Sequence, residues 1–163
     1  MPRGGTFNLL VGGPKVNWPE DFATETDGSW IGVDRGTLRL IDLNIQPVAA
    51  IGDFDSLAAP ELQRVRRNVK DIRQAQVEKD FTDTQMAVSV AFNDYGAERV
   101  DIYGATGGRL DHFLANLFLV LEPRFKRYAG QIRLIDRQNT VSFYLPGRHT
   151  IQKEADKKYL AFV

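Results

Sequence analysis

The chain has 163 residues, 43% of them hydrophobic and 26% charged, which is typical of one globular domain or of one domain with part of another. Its 21 Lys and Arg residues balance its 21 Asp and Glu residues, so it lacks the basic excess of a nucleic-acid-binding module and we expect no nucleic-acid partner. The absence of cysteine excludes disulfides and thiolate sites, and no apolar run approaches the ~18 residues of a membrane span, so we expect a cytoplasmic protein without a membrane partner.

Short apolar runs typical of β-strands alternate with helical patterns through about residue 130. We predict strands at 7–11, 29–33, 47–51, 71–74 and 100–103. Between them we predict helices at 37–43, 60–69, 82–93 and 109–121. This alternation predicts an α/β fold of the Rossmann-like kind, in which a parallel sheet carries helices on both faces.

Two of the predicted helices carry clear signals. Thr82 is followed three residues later by Gln85, which is the signature of a capping box at a helix start. The helix at 109–121 repeats apolar residues at helical spacing, and we expect that stripe to face the core. Its members are Leu110, Phe113, Leu114, Leu117, Phe118 and Leu121.

The pattern changes after residue 129. Four β-like runs follow one another without a helix, at 132–135, 140–145, 148–151 and 158–163. We therefore predict an α/β nucleotide-binding catalytic domain at 1–129 and the start of an antiparallel β domain at 130–163. Since the last run is apolar up to the final residue, we expect this β domain to be truncated.

Two carboxylates, Asp53 and Asp55, follow the third predicted strand. Side chains alternate along a strand, so the pair is expected to project to one side, at the edge where parallel sheets bind ligands. Carboxylate oxygens suit Mg²⁺, which proteins commonly hold together with substrate phosphates. The alternative is an ordinary polar turn, since Asp and Gly are frequent turn residues.

Another candidate phosphate site follows the fifth strand. Gly107 and Gly108 would let backbone amides approach a phosphate, and Arg109 could add a bidentate contact. The alternative is a tight strand-to-helix turn. Asp83 and Asp111 lie in first turns of predicted helices, where the helix dipole alone could account for them. His112 could be a base, although a single His at a helix start is more often a capping or packing residue.

These loops in this order resemble the thiamin pyrophosphokinase family over about residues 7–163. The resemblance is carried by Asp34-x-Gly36, Gly52-Asp53-Phe54-Asp55-Ser56, Lys79-Asp80-x-Thr82-Asp83 and Gly107-Gly108-Arg109-x-Asp111-His112. The second and fourth motifs are specific. The resemblance implies a thiamin diphosphokinase that transfers the pyrophosphoryl group of ATP to thiamin, giving thiamin diphosphate and AMP. It also implies a homodimer whose nucleotide domain is followed by a β-sandwich.

The resemblance also implies roles for individual residues. Asp53, Asp55 and Asp83 would hold Mg²⁺ and the polyphosphate. Asp111 would lie near the reacting hydroxyl of thiamin, where it either orients that group or accepts its proton. The nucleotide would be bordered or contacted by Asp34, Gly36, Gly107, Gly108 and Arg109.

The sequence departs from the family pattern at two places. Arg35 stands where many members have Gly. The predicted β domain is shorter than usual, and in the family that region helps to form the thiamin pocket. Two other functional hypotheses stay open at this point. The chain could be a Mg²⁺-dependent phosphohydrolase that uses the same carboxylates, or a nucleotide-binding remnant without catalysis.

Overall fold

The computed structural model describes residues 3–22, 24, 26–74 and 81–163. Seven strands form one sheet, and all neighbouring strands are parallel except the last pair. The spatial order of the strands is β4-β3-β2-β1-β5-β6-β7. In chain order they are β1 (Thr6–Leu10), β2 (Ser29–Val33), β3 (Ala49–Ile51), β4 (Asp71–Arg73), β5 (Arg99–Tyr103), β6 (Ile132–Ile135) and β7 (Thr140–Ser142).

Helices connect most of these strands. They are α1 (Arg35–Asp42), α2 (Ala59–Asn68), α3 (Asp83–Asn93), α4 (Leu110–Phe118) and α5 (Pro123–Lys126). Three short 3₁₀ segments lie at Lys15–Asn17, Leu119–Leu121 and Ala129–Gln131. The predicted capping box is confirmed, since the Thr82 hydroxyl accepts from the Gln85 amide at 3.2 Å and the Gln85 side chain accepts from the Thr82 amide at 2.9 Å. Among the described residues, no helix combines the length and apolar character needed to cross a bilayer.

Helices cover both faces of the sheet because the central strands bury side chains on both sides. Leu9 packs in a large core cluster with Ala91 of α3. The next residue, Leu10, packs in a second cluster with Leu40 of α1. That second cluster is mainly aromatic, and its ring centroids lie 4.7–5.4 Å apart; it contains Trp18, Phe22, Trp30 and Tyr103. The expectation of an α/β sheet with helices is therefore confirmed.

The apolar stripe predicted to be core is largely exposed. Leu110, Phe118 and Leu121 are 69%, 52% and 71% exposed, and Leu114 is exposed as well. The only fully buried residue of α4 is Asn116. The prediction holds for Leu117, which is partly buried against the main core, and is wrong for the exposed members, because helical periodicity shows that a face is apolar but does not show what covers it.

Of the four β-like runs after residue 129, the strand predicted at 132–135 is confirmed, and the strand predicted at 140–145 is shorter, Thr140–Ser142. β6 pairs with β5 in parallel and β7 pairs with β6, so both continue the main sheet. Arg133 of β6 favours this pairing, because its guanidinium donates two hydrogen bonds of 2.8 and 2.7 Å to the buried carboxylate of Asp101 on β5. Residues 143–163 form neither helix nor strand. The strands predicted at 148–151 and 158–163 are therefore wrong, since a β-strand needs a partner strand and this segment has none among the described residues. The domain division at 129/130 stays a prediction.

Candidate functional site

Asp34 lies between β2 and α1, at the edge of the sheet where parallel strands end. Its backbone has φ 49° and ψ −124°, a conformation that residues with a side chain rarely adopt. Such strain costs about 1–3 kcal/mol and is common at functional sites. The half-buried side chain accepts a long hydrogen bond of 3.4 Å from the Phe54 amide, which links it to the loop after the neighbouring strand.

That neighbouring loop begins directly after β3. Phe54 is 2% exposed and packs with Val65 of α2, so it anchors the loop, while Asp53 and Asp55 are exposed. The expected strand alternation was wrong, because β3 ends at Ile51 and both carboxylates belong to the loop that follows it. The two residues contact each other through the Asp55 amide, which donates to Oδ1 of Asp53 at 2.9 Å.

Asp83 is the first residue of α3 and is half-buried. The capping box formed by Thr82 and Gln85 fixes the start of this helix and therefore the position of Asp83. A carboxylate in the first turn also interacts favourably with the helix dipole. Lys79 and Asp80, which belong to the same motif, lie outside the described residues.

These three loops bring Asp34, Asp53 and Asp83 together. One carboxylate oxygen of each lies within 4.8 Å of the others. Burial, followed by the charge of Asp83 and a hydrogen bond with it, raises the pKa of Asp34 from 3.8 to about 7. Burial also raises the pKa of Asp83, and the charges of Asp53 and Asp55 add to this increase. Three carboxylates held this closely repel one another unless a proton or a cation lies between them.

The donor set fits a hard divalent cation. Mg²⁺ binds oxygen ligands and is usually held by one or two carboxylates together with phosphate oxygens and water. In the described part of the chain, Asp34, Asp53 and Asp83 form no ion pair with Lys or Arg that would neutralise them. Asp55, which the sequence placed among the ligands, is outside this group of three, and Asp34, which it placed beside the nucleotide, is inside it.

The loop after β5 holds the second set of predicted residues. Gly107 has φ 77°, which favours glycine, and a Cβ atom there would lie 1.5 Å from the end of the Asn17 side chain, which would have to move. Arg109 precedes α4, and its guanidinium donates to both oxygens of Asp111 at 3.1 and 2.6 Å. This pairing lowers the pKa of Asp111, and both side chains are well exposed. Gly108 is also exposed.

Gly36 has a packing role that the sequence did not reveal. It is buried in the first turn of α1, and a Cβ atom there would lie 2.0 Å from the carbonyl oxygen of Leu10. The glycine therefore lets α1 approach the end of β1 closely, which places the helix start beside the carboxylate cluster.

Two arginines of α1 were not singled out as site residues. Arg39 donates to the carbonyl oxygens of Gly12 and Gly13 at 3.1 and 2.8 Å, and its guanidinium lies 5.7 Å from the ring centre of Trp18. It thereby fixes the loop after β1. Arg35 contacts the loop that carries Asp53. The four-residue spacing of the two arginines, which places them on one helix face, was the available signal.

Comparison with known proteins agrees with the resemblance. Residues 23–132 match the family described as thiamin pyrophosphokinase, catalytic domain, and this range contains every predicted site residue. The chain is 40% identical to the thiamine pyrophosphokinase of Bacillus subtilis strain 168, over 97% of this chain and 73% of that protein. The chain belongs to the thiamin pyrophosphokinase family.

Solved structures support the family assignment. The fold is similar to a thiamin pyrophosphokinase family protein from Enterococcus faecalis, with a TM-score of 0.85, 43% identity and coverage of 93% of this chain and 70% of that chain. It is also similar to the thiamine pyrophosphokinase of Bacillus subtilis, with a TM-score of 0.75, 39% identity and coverage of 92% and 69%. The carboxylate cluster and the Arg109–Asp111 pair therefore lie in a thiamin pyrophosphokinase catalytic domain.

Proposed function

We propose that this chain transfers the pyrophosphoryl group of ATP to the hydroxyethyl group of thiamin, giving thiamin diphosphate and AMP. The observation that carries this proposal is the convergence of Asp34, Asp53 and Asp83 at the sheet edge of a thiamin pyrophosphokinase catalytic domain. Transfer of phosphoryl groups depends mainly on positioning and on neutralising charge, and a carboxylate-held cation provides both.

We propose that Asp34, Asp53 and Asp83 hold Mg²⁺, and that Asp55 strengthens the negative field from the same loop. The charge of Asp55 already reaches Asp83 and helps to raise its pKa. A bound Mg²⁺ would neutralise charge on the oxygens of the transferring group. The three side chains would in turn become ionised, because a nearby cation favours the charged form of each carboxyl.

The loop after β5 supplies the remaining roles in this proposal. The amides near Gly107 and Gly108 approach phosphate oxygens, and Arg109 adds a bidentate contact. When Arg109 turns to phosphate it releases Asp111, whose oxygens are then free to orient the thiamin hydroxyl or to accept its proton. Exposure of both side chains leaves them free to make this exchange. We also assign Asp34 and Gly36 to the border of the nucleotide site.

We further propose a homodimer in which the acceptor site involves the region after residue 129. The exposed apolar side chains of Leu110, Leu114 and Phe118 lie four residues apart on one face of α4, exposed Leu121 follows the helix, and we call these four residues the α4 surface. Contiguous exposed apolar patches of this kind often mark protein contacts. We assign the nucleotide site to 1–129 and part of the thiamin site to 130–163, and we place the protein in the cytoplasm, where ATP is available.

Product analysis tests the proposal. The purified chain is incubated with ATP, thiamin and Mg²⁺, and the products are separated by chromatography. We expect AMP and thiamin diphosphate in equal amounts, with neither formed when thiamin is left out. Inorganic phosphate released from ATP without thiamin would instead indicate a phosphohydrolase, and binding of ATP without any product would indicate a nucleotide-binding remnant.

A further inference from the structure

Arg35 connects three elements around the carboxylate cluster. It is the first residue of α1 and follows Asp34 directly. Its guanidinium donates to the carbonyl oxygen of Ser56, and it also forms an ion pair of 3.3 Å with Oε1 of Glu61 on α2. The other oxygen of Glu61 accepts from the Ala58 amide at 2.8 Å. One side chain therefore joins the start of α1 to the end of the Asp53 loop and to the first turn of α2.

The position of Arg35 is unfavourable for a surface cation. Helix N-termini carry partial positive charge, which repels an arginine in the first turn. Arg35 also faces Arg39, whose pKa is lowered by burial and then by the charge of Arg35. Because the Arg35–Glu61 pair is partly exposed, it contributes little to global stability. Proteins break such local rules mainly at functional sites, so the unfavourable placement of Arg35 points to a role beside the carboxylate cluster.

The Asp53 loop needs such a restraint. Phe54 anchors its middle in the core, but Asp53 and Ser56 are both exposed. Repulsion from Asp34 and Asp83 pushes the Asp53 carboxylate away from the start of α1. The hydrogen bond between Arg35 and Ser56 pulls the same loop towards it.

We propose that Arg35 is a positioning residue that holds the 53–56 loop against the start of α1 and so keeps Asp53 beside Asp34 and Asp83. This inference deepens the proposed function, since the three carboxylates are the cation ligands assigned there.

Hydrogen exchange tests the restraint without any metal. Arg35→Met removes the hydrogen bond and keeps the aliphatic stem. Arg64→Met is the matched control. Arg64 on α2 forms an ion pair of 2.8 Å with Asp42 on α1, so it links the same two helices with similar exposure. No hydrogen bond or ion pair joins the Arg64 side chain to the described 53–56 loop. We expect amides of residues 53–57 to exchange about tenfold faster in Arg35→Met, as loss of one charge-assisted hydrogen bond implies. Unchanged exchange there, or an equal increase in Arg64→Met, would overturn the proposal.

Binding of Mn²⁺ to the free protein, followed by electron paramagnetic resonance, tests the consequence for the cluster. We expect Arg35→Met to weaken Mn²⁺ binding about tenfold, the usual effect of losing a group that orients ligands. Arg35→Lys should restore part of it, and Arg64→Met should bind normally. Normal binding in Arg35→Met would refute the positioning role. If the unaltered protein bound no Mn²⁺, the proposed cation site would fail, while the exchange data would still decide whether Arg35 holds the loop.

Discussion

A Cβ atom on Gly52 would lie 1.9 Å from Oδ1 of Asp34. Gly52 also has φ 147°, which disfavours any other residue. The loop after β3 and the end of β2 therefore approach each other so closely that the Asp34 carboxylate occupies the space of the missing side chain. The glycine of the Gly52-Asp53-Phe54-Asp55-Ser56 motif thus leaves the space that the Asp34 carboxylate fills.

We predict that Gly52→Ala displaces the Asp34 carboxylate from the cluster. The variant should lose most of its activity, and its free energy of unfolding should fall by roughly 1–3 kcal/mol, because a methyl group adds both backbone strain and a clash. Activity assays with varied Mg²⁺ and urea unfolding measure the two effects.

Gly5→Ala is the control for backbone strain alone. Gly5 has φ 73°, and nothing lies within 4 Å of a Cβ atom there. Gly5→Ala should lower the free energy of unfolding by about 1 kcal/mol and leave the activity of the folded protein unchanged. If Gly52→Ala behaved in the same way, the clash with Asp34 would have no functional meaning.

A second prediction concerns pH in the absence of divalent cations. The pKa of Asp34 is about 7 in the folded chain against 3.8 as its ordinary value. Between these values the unfolded chain loses a proton that the folded chain keeps, so stability falls as pH rises and levels off above about pH 7. Asp34→Asn removes this titration.

Urea unfolding in a chelating buffer at pH 5 and pH 8 measures the effect. We expect Asp34→Asn to gain stability relative to the unaltered protein between pH 5 and pH 8. An identical stability difference at both values would show that Asp34 titrates normally.

A third prediction separates Asp53 from Asp55. Asp53→Asn removes a member of the cluster, whereas Asp55→Asn removes only a charge that acts on Asp83 from a distance. We expect turnover to fall by at least ~10²-fold in Asp53→Asn and by a smaller factor in Asp55→Asn, with more Mg²⁺ partly restoring the second variant. Titration of activity with Mg²⁺ gives both values. If the two variants lost turnover equally and added Mg²⁺ restored neither, Asp55 would belong among the ligands, as the sequence first indicated.

A fourth prediction concerns Asp111. Asp111→Asn should lower turnover by ~10²-fold or more, the usual contribution of a positioned acid–base group. Its exposed pair with Arg109 contributes little to stability, so thermal unfolding should be unchanged. ATP affinity should also change little, which calorimetry measures. Parallel loss of ATP affinity and turnover would assign Asp111 to nucleotide or cation binding.

The fold was predictable where single strands and helix starts carry their own signals. The five strands of the α/β part follow from apolar runs, and the start of α3 follows from the capping box at Thr82 and Gln85. The edge at which the candidate residues lie follows from parallel strand direction. These features depend on short stretches of sequence.

Other features depend on residues far apart in the chain. Asp34 meets Asp53 because β2 lies beside β3 and because its backbone adopts a positive φ, and neither is visible in a local pattern. Arg133 draws β6 to β5 through a buried carboxylate 32 residues away. The exposure of α4 depends on which surfaces cover it, which the period of a helix does not specify.

A fifth prediction tests the α4 surface as a contact between copies of the chain. Phe118→Ser and Leu121→Ser remove exposed apolar groups, so each should change stability by no more than about 0.5 kcal/mol. Together they should shift the protein from dimer towards monomer in sedimentation velocity. Val16→Ser replaces another residue that is 69% exposed, and it should not shift the protein towards monomer. A dimer that survives both α4 substitutions would place the interface elsewhere.

β1 is the central strand of the seven-stranded sheet. β4, β3 and β2 lie on one side of β1, and β5, β6 and β7 lie on the other. In the described sheet, strand pairing links the two groups only through β1 and its five residues, Thr6–Leu10. Loss of pairing along β1 would therefore divide the sheet into two three-stranded halves, one that leads into the loops of Asp34 and Asp53 and one that leads into the loop of Arg109.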